Sequence, residues 1–170
     1  MKNSILETDN LYLMNVSIDL INDYLKMVND KDIQMLISNK ERTYTYEDEE
    51  VWVKNKLINN EEVYSIMEKG TDSFVGNVEL MDITEHDCEL GICITKEQQN
   101  KHYGTEVMKK IMEYSKEDLR LKEMRLIVFS NNERAIHCYE KLGFKEFKKE
   151  VNVKEVNGVM VDDIYMKKTL

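Results

Sequence analysis

The chain has 170 residues, of which 42% are hydrophobic and 34% are charged, and its formal net charge is -9. This composition is typical of a soluble globular protein, and residues 1–170 are expected to form one domain with a sizeable core. An acidic surface repels nucleic acids and anionic membranes, and it attracts cationic small molecules or basic peptides. We therefore expect no nucleic-acid or membrane partner.

The three cysteines are scattered along the chain and include no C-x-x-C pair. They are expected to be reduced thiols of a cytoplasmic protein, and neither a disulfide nor a zinc site is favoured. No apolar run approaches the ~18 residues of a membrane span. Glu7 and Asp9 also interrupt the start of the chain before an apolar stretch of signal-peptide length develops.

The first sixty residues predict one strand and two helices. Residues 10–16 alternate as a strand does, and residues 17–30 show helical spacing of their apolar side chains. Residues 39–46 are polar and predict a loop. A helix is predicted over residues 47–60, with its apolar positions at Val51, Trp52 and Leu57.

The rest of the chain predicts a sheet with two further helices. Strands are expected at residues 62–68, 73–83 and 88–95, joined by turns into an antiparallel meander. A helix from Gly104 to about Asp118, a strand over 124–129 and a helix after Asn132 come next. The last two strands surround a turn at Asn157-Gly158. The expected fold class is α/β (α+β), a mixed sheet with helices on both faces.

The segment "NNERAIHCYEKLGF", residues 131–144, predicts a short helix with clear signals at both ends. Asn132 is a good N-cap, and Gly143 followed by Phe144 suits a Schellman ending. One apolar face is formed by Ala135, Ile136, Tyr139 and Leu142. From this pattern alone, Tyr139 would be a core aromatic whose hydroxyl finds a hydrogen-bond partner.

The segment "ITKEQQNKHYGTE", residues 94–106, places a polar loop between a strand and a helix. Free N–H groups at such a helix start form an anion site together with the helix dipole. Lys101 adds positive charge, and Gly104 allows a ligand to approach the backbone closely. The segment is not a Walker loop, because it contains no Gly-Lys-Ser/Thr.

Together these two segments resemble the GCN5-related N-acetyltransferase (GNAT) superfamily. Its pyrophosphate loop has Arg or Gln, two residues, Gly, one residue, and Gly or Ala, and here Gln99 begins "QNKHYG". Its later motif has Asn, two residues, Ala, three residues, and Tyr-Glu-Lys-Leu-Gly-Phe, and residues 132–144 fit at every position. The resemblance covers about residues 74–168. "WV" in the second helix and "VNGVMVDDIYM" near the end are similar to the branch of ribosomal-protein-alanine and spermidine N-acetyltransferases.

The resemblance implies that acetyl-CoA is the cosubstrate and that no metal is needed. The pantetheine would lie along residues 92–94, where two strands separate, and the pyrophosphate would bind the N–H groups of residues 99–105. The cofactor-binding residues implied are Ile92, Cys93, Ile94, Gln99, Asn100, Lys101, His102, Tyr103, Gly104, Thr105, Asn132 and Ala135.

His102 departs from the family pattern, because glycine usually stands at that position of the loop. If the position needs a positive φ, a non-glycine residue is strained there, although histidine adopts such angles more often than most residues do. The imidazole could instead contact a phosphate, or have no role. These three readings stay open from the sequence.

In the family, the tyrosine that matches Tyr139 points at the thioester sulfur. The resemblance therefore implies that Tyr139 is the general acid, which protonates the CoA thiolate as it leaves. An alkyl amine of pKa ~10.4 is protonated at neutral pH, so a base is expected for it. Glu89 is the preferred candidate, beside Glu79, His86 and His137, although a solvated surface role is as good an explanation for either carboxylate. An α-amine of pKa ~8 would need little base.

The expected activity is acetyl transfer to a primary amine by direct attack on the thioester. A ribosomal-protein N-terminus, a polyamine or an aminoglycoside would each suit an acidic protein as the acceptor. One alternative is a non-catalytic protein that binds or senses acyl-CoA on the same scaffold, and another is a nucleotide-binding protein that uses the Gln99 loop. Homodimers are common in the family, but nothing in the sequence requires one.

Overall fold

The computed structural model describes residues 4–38 and 42–170, in which the chain forms eight strands and five α-helices. They are β1 (Ser4–Glu7), β2 (Leu11–Asn15), α1 (Ile21–Val28), α2 (Lys31–Ile37), α3 (Tyr46–Ile58), β3 (Val63–Glu68), β4 (Phe74–Met81), β5 (Asp87–Ile94), α4 (Tyr103–Glu117), β6 (Glu123–Phe129), α5 (Glu133–Lys141), β7 (Lys145–Val156) and β8 (Val159–Thr169). None of the helices in these two ranges is both long and apolar enough to cross a membrane.

All eight strands belong to one sheet, in the order β1-β2-β3-β4-β5-β6-β8-β7. Every neighbouring pair is antiparallel except β5 and β6, which run parallel. The predicted fold class is therefore confirmed, as are the β3–β4–β5 meander and the closing β7–β8 hairpin. Asn157 and Gly158 both have positive φ, as a tight hairpin turn requires.

Apolar side chains cover both faces of the sheet. The larger core cluster joins the sheet to α4 through Val107, Met108 and Ile111, and α5 packs against the same cluster. A smaller cluster includes Tyr24 of α1 and Val53 of α3. The helices thus lie on two faces, as expected: α4 and α5 pack on the larger cluster, and α1 and α3 pack on the smaller one.

Three details of the first sixty residues differ from the predictions. The structure adds β1 and α2, which the hydrophobic pattern did not reveal. Of the predicted loop over 39–46, residues 39–41 lie outside the described ranges, and Tyr46 already begins α3.

Of the three apolar positions predicted in α3, only Trp52 packs against the core. Val51 and Leu57 are exposed, whereas Val53 is fully buried and Glu49 is 5% exposed. Since Glu49 is charged, the burial pattern of this helix does not follow hydrophobicity alone.

The parallel strands β5 and β6 separate soon after they meet. They pair only from Asp87 to Glu89, opposite residues 123–125, whereas β5 stays paired with β4 as far as Ile94. Beyond Glu89, the edge of β5 that faces β6 is therefore free of sheet pairing. Backbone N–H and C=O groups at such an edge are available to a ligand.

Candidate functional site

The ends of α5 fix the position of Tyr139. The side chain of Asn132 accepts a hydrogen bond from the Ala135 N–H at 3.3 Å. At the other end, the Phe144 N–H donates to the Tyr139 carbonyl at 3.0 Å, and Gly143, with φ of 91°, donates to Glu140 at 2.9 Å. These two bonds are those of a Schellman motif, so both predicted caps are confirmed.

Tyr139 is a half-buried aromatic whose hydroxyl faces open space. Its ring packs against Phe144 with 6.1 Å between the centroids. Burial raises the pKa of Tyr139 above its usual value, and neighbouring Cys138 and Cys93 add to the effect. Within residues 4–38 and 42–170 no side chain or backbone group bonds the hydroxyl, whereas a core tyrosine normally finds a partner.

A cleft of about 420 Å³, the first cleft, lies between the end of β5, the start of α4 and the side of α5. It brings together most of the residues predicted to bind the cofactor. Those that line it are Ile92, Cys93, Ile94, Gln99, Asn100, His102, Tyr103, Gly104, Thr105, Asn132 and Ala135, with Tyr139 beside them. Their roles stay predictions, but their convergence is a structural fact.

The N-terminus of α4 opens into the first cleft without a side-chain cap. His102 is the N-cap residue and makes no capping hydrogen bond, whereas Thr45 forms a complete capping box on α3. The first-turn N–H groups of a helix have no partner inside it, so those of α4 are left for an anion. His102 has φ of 62° and ψ of 9°, so the backbone does adopt the left-handed conformation that was one of the open readings of this position.

The side chains of Gln99 and Lys101 are both held by other groups of the protein. The Gln99 amide donates to the Ile94 carbonyl at 3.0 Å and ties the loop to the end of β5. The Lys101 ammonium donates to Gln98 at 2.7 Å and lies 3.8 Å from a Glu68 oxygen, and Lys101 does not line the first cleft.

Positive charge reaches the first cleft from α5 instead. Arg134 and Lys141 both line it, together with exposed His137. Arg134 and Lys141 were not predicted to lie at the site, and His137 was predicted only as a possible base. The available signal was their position on the flank next to Tyr139.

A second cleft, of about 470 Å³, opens on the other side of Tyr139. Both clefts share Ile92, Cys93, Asn132 and Tyr139, together with Leu36 and Ile37 of α2. The second cleft is lined further by Trp52, Val63, Asn77, Glu79, Met81, Glu89, Leu90, Gly91, Ile127, Val128, Phe129 and Asp163. Tyr139 therefore stands where two separate ligand spaces meet.

Acidic side chains dominate the charge of the second cleft. Glu79 forms an ion pair with Lys56 of α3, whose ammonium also lies 2.6 Å from Glu61. Glu89 has no such partner among the described residues. Burial raises the pKa of its carboxyl, Arg125 lowers it, and Asp82 raises it further.

Asp163, Asn77 and Trp52 also line the second cleft, and sequence reasoning did not assign them to the site. Burial, and then Glu150, raise the pKa of the Asp163 carboxyl. The amide oxygen of Asn77 is buried and has no partner in the described part of the chain. A pair of aspartates within the apolar strand "VMVDDIYM" was the one sequence signal for Asp163.

The two histidines proposed as bases lie outside the second cleft. His86 is exposed in the turn before β5, at the opposite end of that strand from Ile94. His137 is exposed and lines the first cleft only. Among the described residues, no group of three or more His, Cys, Asp or Glu is placed to hold a metal ion.

Solved structures share this fold over nearly the whole chain. A spermidine N-acetyltransferase from Vibrio cholerae, in complex with CoA and spermine, has a TM-score of 0.84 and 23% identity and covers 94% of this chain and 95% of its own. A GNAT-family acetyltransferase from Bacillus anthracis also has a TM-score of 0.84, with 17% identity, and covers 96% of this chain and 97% of its own. At these identities, the likeness shows the fold alone.

Curated relatives match part of the chain. The spermidine N(1)-acetyltransferase of Escherichia coli K12 is 42% identical over 71 residues, which are 41% of this chain and 38% of that protein. The enzyme from Vibrio cholerae is 32% identical over 109 residues, 62% of this chain and 63% of its own. Either match spans less than two thirds of the relative. The acetyltransferase (GNAT) domain family, however, matches residues 10–145, and the chain belongs to that family.

Proposed function

We propose that this protein is an acetyl-CoA-dependent N-acetyltransferase that acetylates a primary amine of a polyamine-like cation. The observation that carries the proposal is the meeting of two clefts at Tyr139. A two-substrate reaction without a carrier needs both reacting groups in one place, and separate entrances allow each substrate to bind in its own space.

The first cleft fits acetyl-CoA by its chemistry. The uncapped start of α4 offers N–H groups to the pyrophosphate, and Arg134 and Lys141 add positive charge. The unpaired edge of β5 offers backbone groups to the amides of the pantetheine. Ile92 and Ile94 give this part of the cleft an apolar wall.

The second cleft fits a cation with an aliphatic chain. Glu79, Glu89 and Asp163 supply negative charge, and Trp52 and Phe129 supply apolar surface. A positive charge over an aromatic face is an additional favourable contact. The curated relatives are named spermidine acetyltransferases, which supports a polyamine over a protein N-terminus or an aminoglycoside.

The chain's own residues would handle two protons. Glu89 would take the proton of the acceptor ammonium, directly or through water, because its raised pKa makes it a better base than an ordinary carboxylate. The free amine attacks the thioester carbonyl, the carbon–sulfur bond breaks, and the products are the acetylated amine and CoA. Tyr139 would donate its hydroxyl hydrogen to the departing sulfur and would regain a proton from the attacking nitrogen, which loses this second proton as it becomes the amide.

The raised pKa of Tyr139 is compatible with this role, because the same burial acts on sulfur. Burial, followed by the charge of Asp30, raises the pKa of the nearby Cys93 thiol to about 12. A CoA thiolate at the same position would also be a stronger base than in water. Because burial raises the pKa of the Tyr139 hydroxyl and of the CoA thiol in the same direction, Tyr139 can still donate a proton to the sulfur.

The proposal is tested by mixing the purified protein with acetyl-CoA and a panel of amines and measuring CoA thiol release. We expect release with spermidine and with unbranched aliphatic diamines, and much less with an N-terminal peptide or an aminoglycoside. Acetyl-CoA binding by calorimetry without release for any amine would instead favour the non-catalytic acyl-CoA-binding alternative.

We also propose that the reaction takes place in the cytoplasm. All three cysteines are free, and Cys93 and Cys138 both line the first cleft. A reducing compartment keeps such thiols reduced and also contains acetyl-CoA. Localisation of a tagged full-length protein by cell fractionation tests this point.

Gly104→Val is expected to weaken acetyl-CoA binding about tenfold or more without unfolding the protein. A Cβ at Gly104 would meet only Ile94 Cγ1, at 3.8 Å, so the fold has room for a side chain that would crowd the phosphates. Calorimetry gives the acetyl-CoA Kd, and thermal unfolding checks the fold. Gly104→Ala should show a smaller loss in the same direction, and wild-type affinity in both folded variants would exclude the α4 start from the site.

His102→Gly is expected to stabilise the protein by about 1 kcal/mol, because glycine adopts the left-handed conformation without strain. The strain is present before any ligand binds, so its relief should raise the free energy of unfolding and leave the acetyl-CoA Kd within about twofold. Denaturant unfolding and calorimetry measure the two quantities.

His102→Ala is the matched control, because it removes the imidazole and keeps the strained backbone. It should give no gain in stability. An acetyl-CoA affinity that falls in both variants, and falls more at about pH 6 than at about pH 8, would show instead that the imidazole binds a phosphate.

A further inference from the structure

Gly91 has no structural reason to be a glycine. It lies in the interior of β5, and glycine weakens a strand because it has no side chain to pack and more backbone freedom to lose. Its φ lies outside the left-handed region, so the backbone does not require glycine. The register with β4 runs without a shift from Gly76–Ile94 to Met81–Glu89, so there is no bulge to accommodate.

Packing does not require the glycine either. Among the described residues, a Cβ at Gly91 would meet only the terminal Cε of Met81, at 3.1 Å, and the end of a methionine can move aside. Gly76, on the neighbouring strand, is the opposite case. A Cβ there would lie 2.0 Å from the carbonyl oxygen of Cys93, so close backbone approach fixes that residue as glycine.

The position of Gly91 points to the remaining reason for a strand glycine, the close approach of a ligand. Side chains alternate along a strand, so Gly91 shares a face with Glu89 and Cys93. Its partner across the sheet is Glu79. All four residues line the second cleft, and Gly91 does not line the first.

We infer that Gly91 determines acceptor specificity by making room for the carbon chain of the amine beside the thioester. This inference rests on the proposed function. It holds that one residue, Gly91, determines how wide the second cleft is. Glu89 on one side and Cys93 on the other place Gly91 between the proposed base and the junction with the first cleft. The acceptor class that fits is a primary amine carried by an unbranched chain.

The test compares wild type, Gly91→Ala and Gly91→Val. Each is assayed with two acceptors: unbranched butane with an amino group at each end, and the analogue that carries a methyl group on each amine-bearing carbon. Gly91→Ala should lower kcat/KM for the unbranched diamine about tenfold, and Gly91→Val should lower it further. The kcat/KM for the methylated analogue should fall more than that for the unbranched diamine with each substitution. The acetyl-CoA Kd should stay within about twofold of wild type in both variants. Gly104→Val should instead weaken acetyl-CoA binding and leave the discrimination between the two diamines unchanged.

Several results would overturn the inference. They are unchanged kcat/KM in folded variants, equal losses for the two diamines, a weakened acetyl-CoA Kd, and failure of Gly91→Ala to fold, which would assign the glycine to packing. If wild type acetylates neither these diamines nor spermidine, the proposed function is contradicted separately. In that case, calorimetry of diamine binding to the complex with CoA tests the inference. Diamine affinity should fall from wild type to Gly91→Ala to Gly91→Val, and it should fall more for the methylated analogue.

Discussion

Tyr139→Phe is expected to lower kcat by about 10²–10⁴-fold and to leave the acetyl-CoA Kd within about twofold. The substitution keeps the ring that packs against Phe144 and removes only the hydroxyl. Because the proposed hydrogen bond to sulfur strengthens as the thiolate forms, its loss should appear in kcat more than in binding. Steady-state kinetics with calorimetry measures both quantities.

Stability separates this role from a core role. The hydroxyl of Tyr139 has no hydrogen-bond partner among the described residues, so its removal should not lower the melting temperature. Tyr114→Phe is the matched control, since that hydroxyl donates to Glu62 at 3.1 Å inside the fold. It should cost about 1 kcal/mol of stability and keep kcat. An unchanged kcat for Tyr139→Phe would show that Tyr139 is a core aromatic and not the general acid.

Glu89→Gln is expected to lower kcat/KM by about 10²-fold or more and to remove the acid limb of the pH profile. A base must be ionised to act, so activity should rise with pH as Glu89 loses its proton. Since burial raises the pKa of Glu89, that rise should lie above the ordinary carboxyl value of about 4.3. Initial rates across the acid range, at acceptor concentrations well below KM, test this.

The same substitution should not destabilise the protein. A carboxyl whose pKa is raised by folding destabilises the folded state once ionised, so stability falls as the pH rises through the folded-state pKa. Glutamine has no charge to desolvate, and the melting temperature near neutral pH should stay equal or increase. Glu79→Gln is the control, because Glu79 is paired with Lys56 and should affect acceptor KM more than kcat. An acid limb that persists in Glu89→Gln would assign the base elsewhere.

The sheet and the C-terminal helices could be predicted because local signals agreed with one another. Asn132, Gly143 and the apolar spacing of α5 all specify the same helix, and the structure confirms its caps. The left-handed backbone of His102 was one of the readings suggested by a motif position that usually holds glycine. In each case a few neighbouring residues determine the conformation, and the sequence shows them directly.

The second cleft could not be predicted, because its residues come from distant segments and break the local patterns. Lys56 of α3 forms an ion pair with Glu79 of this cleft, although charged residues normally mark the solvent side of a helix. Asp163 interrupts an apolar strand, and Gly91 weakens one. The sheet order β4-β5-β6-β8 brings the strands of Gly91 and Asp163 near each other, and both residues line the second cleft.

The position of the Lys101 side chain also depends on residues that are distant in the sequence. Its charge was expected at the anion site, but Glu68 of β3 lies within reach and draws the ammonium away. Arg134 and Lys141 contribute charge to the first cleft instead, and α5 brings them there. Side-chain partners across the fold cannot be predicted from one segment alone.

The central claim is that acetyl passes directly from the thioester to the amine where the clefts meet at Tyr139. Mass spectrometry of the intact protein after incubation with acetyl-CoA alone, followed by addition of spermidine, tests it most directly. The claim predicts no acetyl adduct on the protein before the amine is added, because burial keeps the Cys93 thiol protonated, and prompt acetylspermidine afterwards. An acetyl group on Cys93 or Cys138 that disappears as acetylspermidine forms would contradict direct transfer.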